Sequence, residues 1–367
     1  MPELPPLLLS RDRIFHGLTP NDLTKRVKTG ALVRVRNGIY TDGEAWRGLK
    51  PWEQYRLRVQ AAAESFRKPT VFARHSAASV WGLPIIGTHH PVEALTFRND
   101  GGRSRAGVSR HFALREGLTV VRREGLLVTD RVRTVLDLAA FSPFTEGVTA
   151  MDHVLRHDRL RQLPALGTAE LEAGIGSNYS AAAGRRIRAV LEFACPASGS
   201  AGESLSRVLI HLAGFEPPVL QQAFTDSSGL VGYSDFYWKH AGVVGEFDGE
   251  EKYTKSEYLK GRTASQAVVA EKNRENRIRA LGINVVRWDW ADLMEPGTLE
   301  RKLGAAGVSR RRTRSAVPRT APLTRTFLSR PANSSSTRTF PGAPVFGDHQ
   351  GMCVAKVASG RAAGATP

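Results

Sequence analysis

The stretch Tyr233-Ser-Asp-Phe-Tyr-Trp-Lys-His-Ala-Gly-Val-Val-Gly-Glu-Phe-Asp-Gly-Glu-Glu-Lys-Tyr253 sets acids inside an apolar, β-rich frame. Ten residues separate Asp235 from Glu246, and Asp248 follows two positions later. In a strand, residues i and i+2 share a face. Glu246 and Asp248 are therefore expected side by side, with Phe247 pointing the other way. Adjacent carboxylates repel, and burial makes ionising both costly. A divalent cation removes that cost, and hard oxygen donors suit Mg2+ or Mn2+. The simplest chemistry for such a site is phosphodiester hydrolysis.

Working outward, Ser198-Gly-Ser-Ala-Gly202 reads as a flexible boundary. A helix is expected from Glu203 to Ala213, with Leu205, Val208, Leu209 and Leu212 on its apolar side. Strands are expected at Val219–Phe224, Leu230–Trp238 and Gly242–Phe247, then a long helix over Arg262–Leu281. A strand at Asn284–Trp288 and a helix starting near Asp292 complete the order α, three β, α, β, α. Arg274 and Arg277 lie one turn apart, facing one way to support the acids or to bind phosphate. Trp238, Trp288 and Trp290 read as core and rim packing rather than base-stacking platforms.

This region resembles the PD-(D/E)XK nuclease superfamily, most closely its Vsr-like branch. The resemblance rests on Glu203-Ser204, Asp235-Phe236, Glu246-Phe-Asp-Gly249, Lys252 and Glu271-x-x-Arg274-x-x-x-Ile278-x-x-x-Gly282-x-x-Val285-x-Arg287, and spans residues 200–295. It implies a restriction-endonuclease-like domain. Asp235, Glu246 and Asp248 hold the metal there, and Glu203 supports the site from the first helix. The superfamily lysine two residues after the second acid is replaced by Asp248. Lys252 is the candidate that supplies its charge.

Nearer the N-terminus, residues 7–17 are expected to form a short first helix. A second begins at the N-cap Thr19, with Pro20 at its first position and Asp22 in its first turn, and stops at Gly30. Leu32-Val-Arg-Val-Arg-Asn-Gly-Ile-Tyr40 follows, in which Asn37-Gly38 favours a type I′ hairpin turn. Arg34 and Arg36 alternate with valines and are expected on one face. Helix, helix and basic hairpin form the order of a winged helix-turn-helix. Lys25, Arg26 and Lys28 then lie on the recognition helix and Arg34 and Arg36 on the wing. The pattern Gly17-Leu-Thr…Leu23…Val27…Gly30-x-Leu-Val-Arg-Val-Arg-Asn-Gly-Ile-Tyr40 resembles the N-terminal domain of AbiEi-like antitoxins of type IV toxin–antitoxin systems. That resemblance implies a DNA-binding autorepressor and a toxin partner encoded nearby.

Residues 51–190 read as α/β without a catalytic signature: helices at Trp52–Phe66 and Arg74–Trp81, and strands at Pro91–Arg98, Gly107–Leu114 and Leu118–Val128. A helix opened by Thr129-Asp130 and a mostly helical stretch from Met151 to Leu191, interrupted near Gly174–Ser180, follow. His75, His89, His90 and His111 read as surface or satisfied-core histidines.

The whole chain is therefore expected to be α/β. Residues 1–50 form a winged helix-turn-helix and 51–197 an α/β middle and helical connecting region. Residues 198–304 form the nuclease-like domain and 305–367 a disordered basic tail. The 367 residues carry a net charge of +17, which favours nucleic acid as partner. From Ala305 onward, ten Lys/Arg against one acid give +9 of that charge, leaving +8 for residues 1–304. No run approaches the roughly 18 apolar residues of a membrane span, and Leu7-Leu8-Leu9 is too short for a signal-peptide core. Cys195 and Cys353 suggest neither a disulfide framework nor a zinc cluster. A cytoplasmic protein without membrane partners is the expectation.

Overall fold

The computed structural model describes residues 4–12, 17–87, 89–97, 107–249 and 264–311. The chain is mixed α/β and divides into two compact units between Leu205 and Ser206.

The first unit begins with β1 (Leu8–Leu9), α1 (Pro20–Lys28), β2 (Leu32–Arg36), β3 (Ile39–Asp42) and α2 (Gly43–Gly48). The three strands form one sheet in the order β1-β3-β2. The helix expected over residues 7–17 is corrected at its start: Leu8 and Leu9 pair with Tyr40 and Ile39 and add a strand to the hairpin, Ser10–Asp12 make a 3-10 turn, and residues 13–16 lie outside the described residues. α1 starts as expected, with Thr19 and Asp22 exchanging a capping box.

The β2–β3 turn departs from type I′. That turn needs positive φ at both central residues, and of Asn37 and Gly38 only Gly38 has it, at +73°. The register slips between Arg34 and Arg36, a bulge that breaks the two-residue period. Arg34 thus lies opposite Tyr40 and Arg36 opposite Ile39, so the two arginines do not share the face expected of them. Gly38 is also needed for space, since a Cβ there would sit 2.9 Å from Ser10 Oγ.

The rest of the first unit comprises α3 (Pro51–Ser65), β4 (Val71–Phe72), α4 (Arg74–Trp81), β5 (Val92–Thr96), β6 (Val108–Phe112), β7 (Val120–Arg123) and β8 (Leu126–Thr129). Helices α5 (Arg131–Phe141), α6 (Phe144–Val154), α7 (Thr168–Ile175) and α8 (Ala181–Phe193) follow. The second sheet runs β6-β5-β4-β8-β7, with β5–β6 and β4–β8 parallel and the other pairs antiparallel. The single strand expected over Leu118–Val128 is instead the β7–β8 hairpin. Its turn residues Glu124 and Gly125 both have positive φ, +51° and +79°. The expected helical stretch from Met151 is broken into α6, α7 and α8.

The second unit takes up most of α9 (Ala201–Leu212) and continues through β9 (Val219–Asp226), β10 (Gly229–Trp238) and β11 (Val243–Phe247). Then come α10 (Ala264–Ala280), β12 (Asn284–Trp288), α11 (Trp290–Met294) and α12 (Thr298–Ala305). The sheet order is β12-β11-β10-β9, antiparallel except for the parallel β11–β12 pair that α10 connects. Phe224, Val244, Ile278 and Val285 make one core cluster. Elsewhere in this unit, Phe236 packs between Trp238 and Trp288, with ring centroids 6.3 and 5.4 Å away. Both indoles are fully buried and satisfied, Trp238 on the Glu216 carbonyl and Trp288 on Ser206 Oγ. Gly245 is small because Trp288 covers it: a Cβ would meet the ring at 2.4 Å.

Two boundary expectations change. Ser198 is buried, and the Gly199 N–H donates to Glu203 Oε2 at 2.6 Å, so Ser198–Gly202 is pinned rather than loose. Past Ala305, the Glu216 N–H donates to the Ser309 carbonyl and the Arg311 N–H to the Gly214 carbonyl, tying Ser309–Arg311 into the unit. The remainder of the expected tail, from residue 312, lies outside the described residues. Among the described residues, no helix is long and apolar enough to cross a membrane.

Candidate functional site

The acids of the second unit converge where the C-terminal end of β11 runs beside the middle of β10. Phe236 pairs with Gly245 in register, so Asp235 and Glu246 stand one step beyond on neighbouring strands. Asp235 Oδ2 accepts the Phe247 N–H at 2.9 Å, which fixes its carboxylate against β11. Glu246 is 3% exposed. Its two oxygens lie 3.3 and 3.2 Å from Arg274.

Arg274 comes from α10 and also grips Glu271, through Nε at 2.9 Å and Nη2 at 2.6 Å. Its Nη1 donates to the Tyr233 carbonyl at 2.9 Å, docking the helix on β10. Burial works against this guanidinium's charge, but contacts with Glu271 and Glu246 more than compensate and raise its pKa. From β12, Arg287 pairs with Asp248 at 3.0 Å, with Glu271 at 2.6 Å and with Glu275 at 3.1 Å. Glu271 Oε1 therefore bridges both arginines. Arg279 adds a second contact on Glu275 at 2.8 Å.

Glu246 and Asp248 are held by Arg274 and Arg287 respectively, which Glu271 Oε1 bridges. β11 ends at Phe247, but the Asp248 N–H still donates to the Trp288 carbonyl at 2.8 Å, so the pairing with β12 reaches Asp248. Arg277, expected beside Arg274 in function, makes a bidentate pair with Asp226 at 2.7 and 2.6 Å. Glu203 closes a local cap at the start of α9: it accepts from Gly199 N–H, while Ser200 Oγ accepts the Glu203 N–H at 3.2 Å. Lys252 lies outside the described residues. Glu271 was legible as a motif residue and Glu275 only as a helix residue; their i, i+4 spacing on α10 is the signal that places both toward Arg287.

In the first unit, Lys25, Arg26 and Lys28 are exposed on α1, whose buried residue is Leu23. Arg34 is exposed, whereas Arg36 donates to Ser65 Oγ at 2.9 Å. A cleft of about 350 Å3 is bordered by Thr119, Asp130, Arg131, Arg133, Glu170 and Asn178. Two acids there balance two arginines, so it favours neither sign of ligand charge.

A second ionisable group lies deeper in that unit. His75, at the start of α4, reaches Glu93 Oε2 through Nδ1 at 2.8 Å and Glu146 Oε2 through Nε2 at 2.6 Å. His90 stacks on His75, with ring centroids 4.0 Å apart. One ligand atom from each of His75, His90 and Glu146 lies within 4.8 Å of the others, so this is a group able to hold a metal. Burial disfavours a charged His75, but its hydrogen bonds to Glu146 and Glu93 raise its pKa to about 9. Burial likewise opposes ionisation of Glu93, yet His111 and His75 bring it down to about 2. His90 is lowered, by burial and then by the neighbouring His75. His75 is thus a satisfied-core histidine, as expected, but its surroundings are more acidic than the sequence suggests.

No family model matches the chain. Two proteins of Mycobacterium tuberculosis, described as uncharacterized proteins MT2308 and Rv2248, are each 25% identical to it over 287 residues, covering 78% of this chain and 96% of their own length. The crystal structure of RV2827C protein from Mycobacterium tuberculosis aligns over 60% of this chain and 84% of its own, at 15% identity and a TM-score of 0.34.

Proposed function

We propose that the chain binds DNA and that its second unit is an endonuclease-like site for metal-dependent hydrolysis of phosphodiester bonds. The supporting observation is the convergence of the acids: Asp235 and Glu246 stand beside one another on neighbouring strands, and Asp248 follows at the end of β11. Glu246 is buried, and carboxylates drawn together beside it repel one another, a cost that a bound cation relieves. The three side chains offer only carboxylate oxygens, which fits Mg2+ or Mn2+ in kind and charge.

Asp235, Glu246 and Asp248 are the residues that would hold the ion. Bound there, it supplies a lowered pKa to a coordinated water and neutralises charge on the phosphate. The chain's own residues do the positioning. Phe247 N–H orients Asp235, Arg274 orients Glu246, and Arg287 orients Asp248. Lys25, Arg26, Lys28 and Arg34 supply sequence-independent phosphate contacts from the first unit, a role suited to exposed cations.

One observation favours a second reading, a non-catalytic antitoxin-like autorepressor of a type IV system with a toxin partner. Arg274 already spans both oxygens of Glu246 and does a cation's electrostatic work. Incubation of wild type and Glu246→Ala with supercoiled plasmid and Mg2+ or Mn2+ separates the two. Nicking by wild type alone supports the endonuclease. Gel shifts by both proteins without nicking support the regulator.

A further inference from the structure

We propose that His75, His90 and Glu146 form a binding site for a zinc-class divalent ion, separate from the acid network of the second unit. The three ligands come from α4, the loop before β5, and α6, and their donor atoms lie within 4.8 Å of one another. Two nitrogens and one carboxylate oxygen match the donor set of three-ligand zinc sites, which keep a fourth position for water or substrate. Imidazole donors disfavour Mg2+, so the ion differs in class from the one assigned to Asp235, Glu246 and Asp248.

The outer contacts are those a metal site requires. A ligating histidine almost always donates its other ring N–H to a carboxylate or backbone carbonyl. His75 Nδ1 lies 2.8 Å from Glu93 Oε2, and His90 Nε2 lies 2.7 Å from the Ile86 carbonyl. His90 Nδ1 and His75 Nε2 are the ring nitrogens that meet the ion, which displaces the proton His75 Nε2 shares with Glu146 Oε2 at 2.6 Å. Glu93 is itself held in place by the His75 backbone N–H at 3.1 Å and by His111 Nε2 at 3.0 Å. Arg74, immediately before His75, adopts φ +50°. Such a conformation costs on the order of 1 kcal/mol or more in a residue with a Cβ, and strain of this kind clusters at functional sites.

Zinc bonds of roughly 2.1 Å at tetrahedral angles set donors roughly 3.4 Å apart, so Glu146, 2.6 Å from His75 Nε2, must draw back and the stacked imidazoles must open. His75 is buried, and His90 and Glu146 are the partly exposed members whose side chains would rotate.

The test uses the purified full chain stripped with a chelator, dialysed against Zn2+ and assayed for metal content, with Co2+ as a spectroscopic substitute. The expected result is one zinc per chain and a visible Co2+ spectrum of tetrahedral type. Both are lost in His90→Gln and in Glu146→Gln, and Asp235→Asn leaves both unchanged. Glu93→Gln is expected to weaken zinc binding by ~10–100-fold, the usual effect of removing such a partner. A wild type that takes up no stoichiometric zinc and gives no tetrahedral Co2+ spectrum would overturn the proposal. So would equal zinc retention by His90→Gln. The wild-type spectrum decides the matter even where a variant folds poorly.

Discussion

At the scale of single residues, Arg274 organises the second unit more than any acid does. It ties Glu246 and Glu271 together and docks α10 on β10 through the Tyr233 carbonyl. Removing one partner of a buried ion pair leaves an uncompensated charge, at a cost of ~3–5 kcal/mol. Arg274→Ala is therefore expected to lose about that much stability in urea unfolding. If the site accepts a divalent ion, added Mg2+ or Mn2+ restores part of the loss by mass action. No recovery at millimolar metal would count against the cation reading.

His153 makes a pH-dependent prediction. Burial, followed by the neighbouring Arg156, lowers it from 6.5 to about 4, so its 3.3 Å contact with Asp158 is a neutral hydrogen bond. A depressed histidine contributes stability that is complete above the unfolded value and is lost as pH falls through the folded one. Stability should therefore decline between pH 6.5 and about 4, and His153→Gln should flatten that decline in denaturant titrations at several pH values.

At the scale of elements, the second unit was the most legible. β10, β11 and β12 announce themselves through runs of valine and aromatic residues, and Asn284–Trp288 lies where the pattern puts it. The one-step juxtaposition of Asp235 and Glu246 follows from the strand pairing, but their arginine partners do not. Which guanidinium reaches which carboxylate depends on how α10 lies on the sheet, a tertiary matter. The β7–β8 hairpin was missed for a local reason: Glu124 occupies a positive-φ position that usually takes Asn, Asp or Gly, so Arg123-Glu-Gly-Leu126 carries no familiar turn signal. β1 was missed because a short leucine run suits helix and strand equally. The His75 group was invisible because its members are up to 71 residues apart. Gly245 offers a direct check on the packing of β11. Gly245→Ala drives a Cβ into Trp288, with an overpacking cost of ~1–3 kcal/mol expected as a lowered melting temperature. An unchanged melting point would mean that the indole does not cover β11 as described.

At the scale of the whole molecule, charge is the dominant property. The +17 balance predicts DNA binding that weakens steeply with salt. Because Lys25, Arg26 and Lys28 are exposed and Arg277 is engaged by Asp226, phosphate contact is expected from the first three and not from Arg277. Replacing any one of the three by Ala should lower the salt slope by about 1, read by fluorescence anisotropy across salt concentrations. Arg277→Ala should alter stability more than that slope.

A divalent ion held by the carboxylates around Asp235 and Glu246 is what the endonuclease reading requires. Calorimetric titration of Mn2+ into the wild type and into Asp235→Asn, each first treated with a chelator, tests it most directly. One Mn2+ site is expected in the wild type, lost in Asp235→Asn while the fold, followed by circular dichroism, is kept. Equal Mn2+ binding by both proteins, or none by either, would contradict it and leave the acid network as an arginine-neutralised structural element.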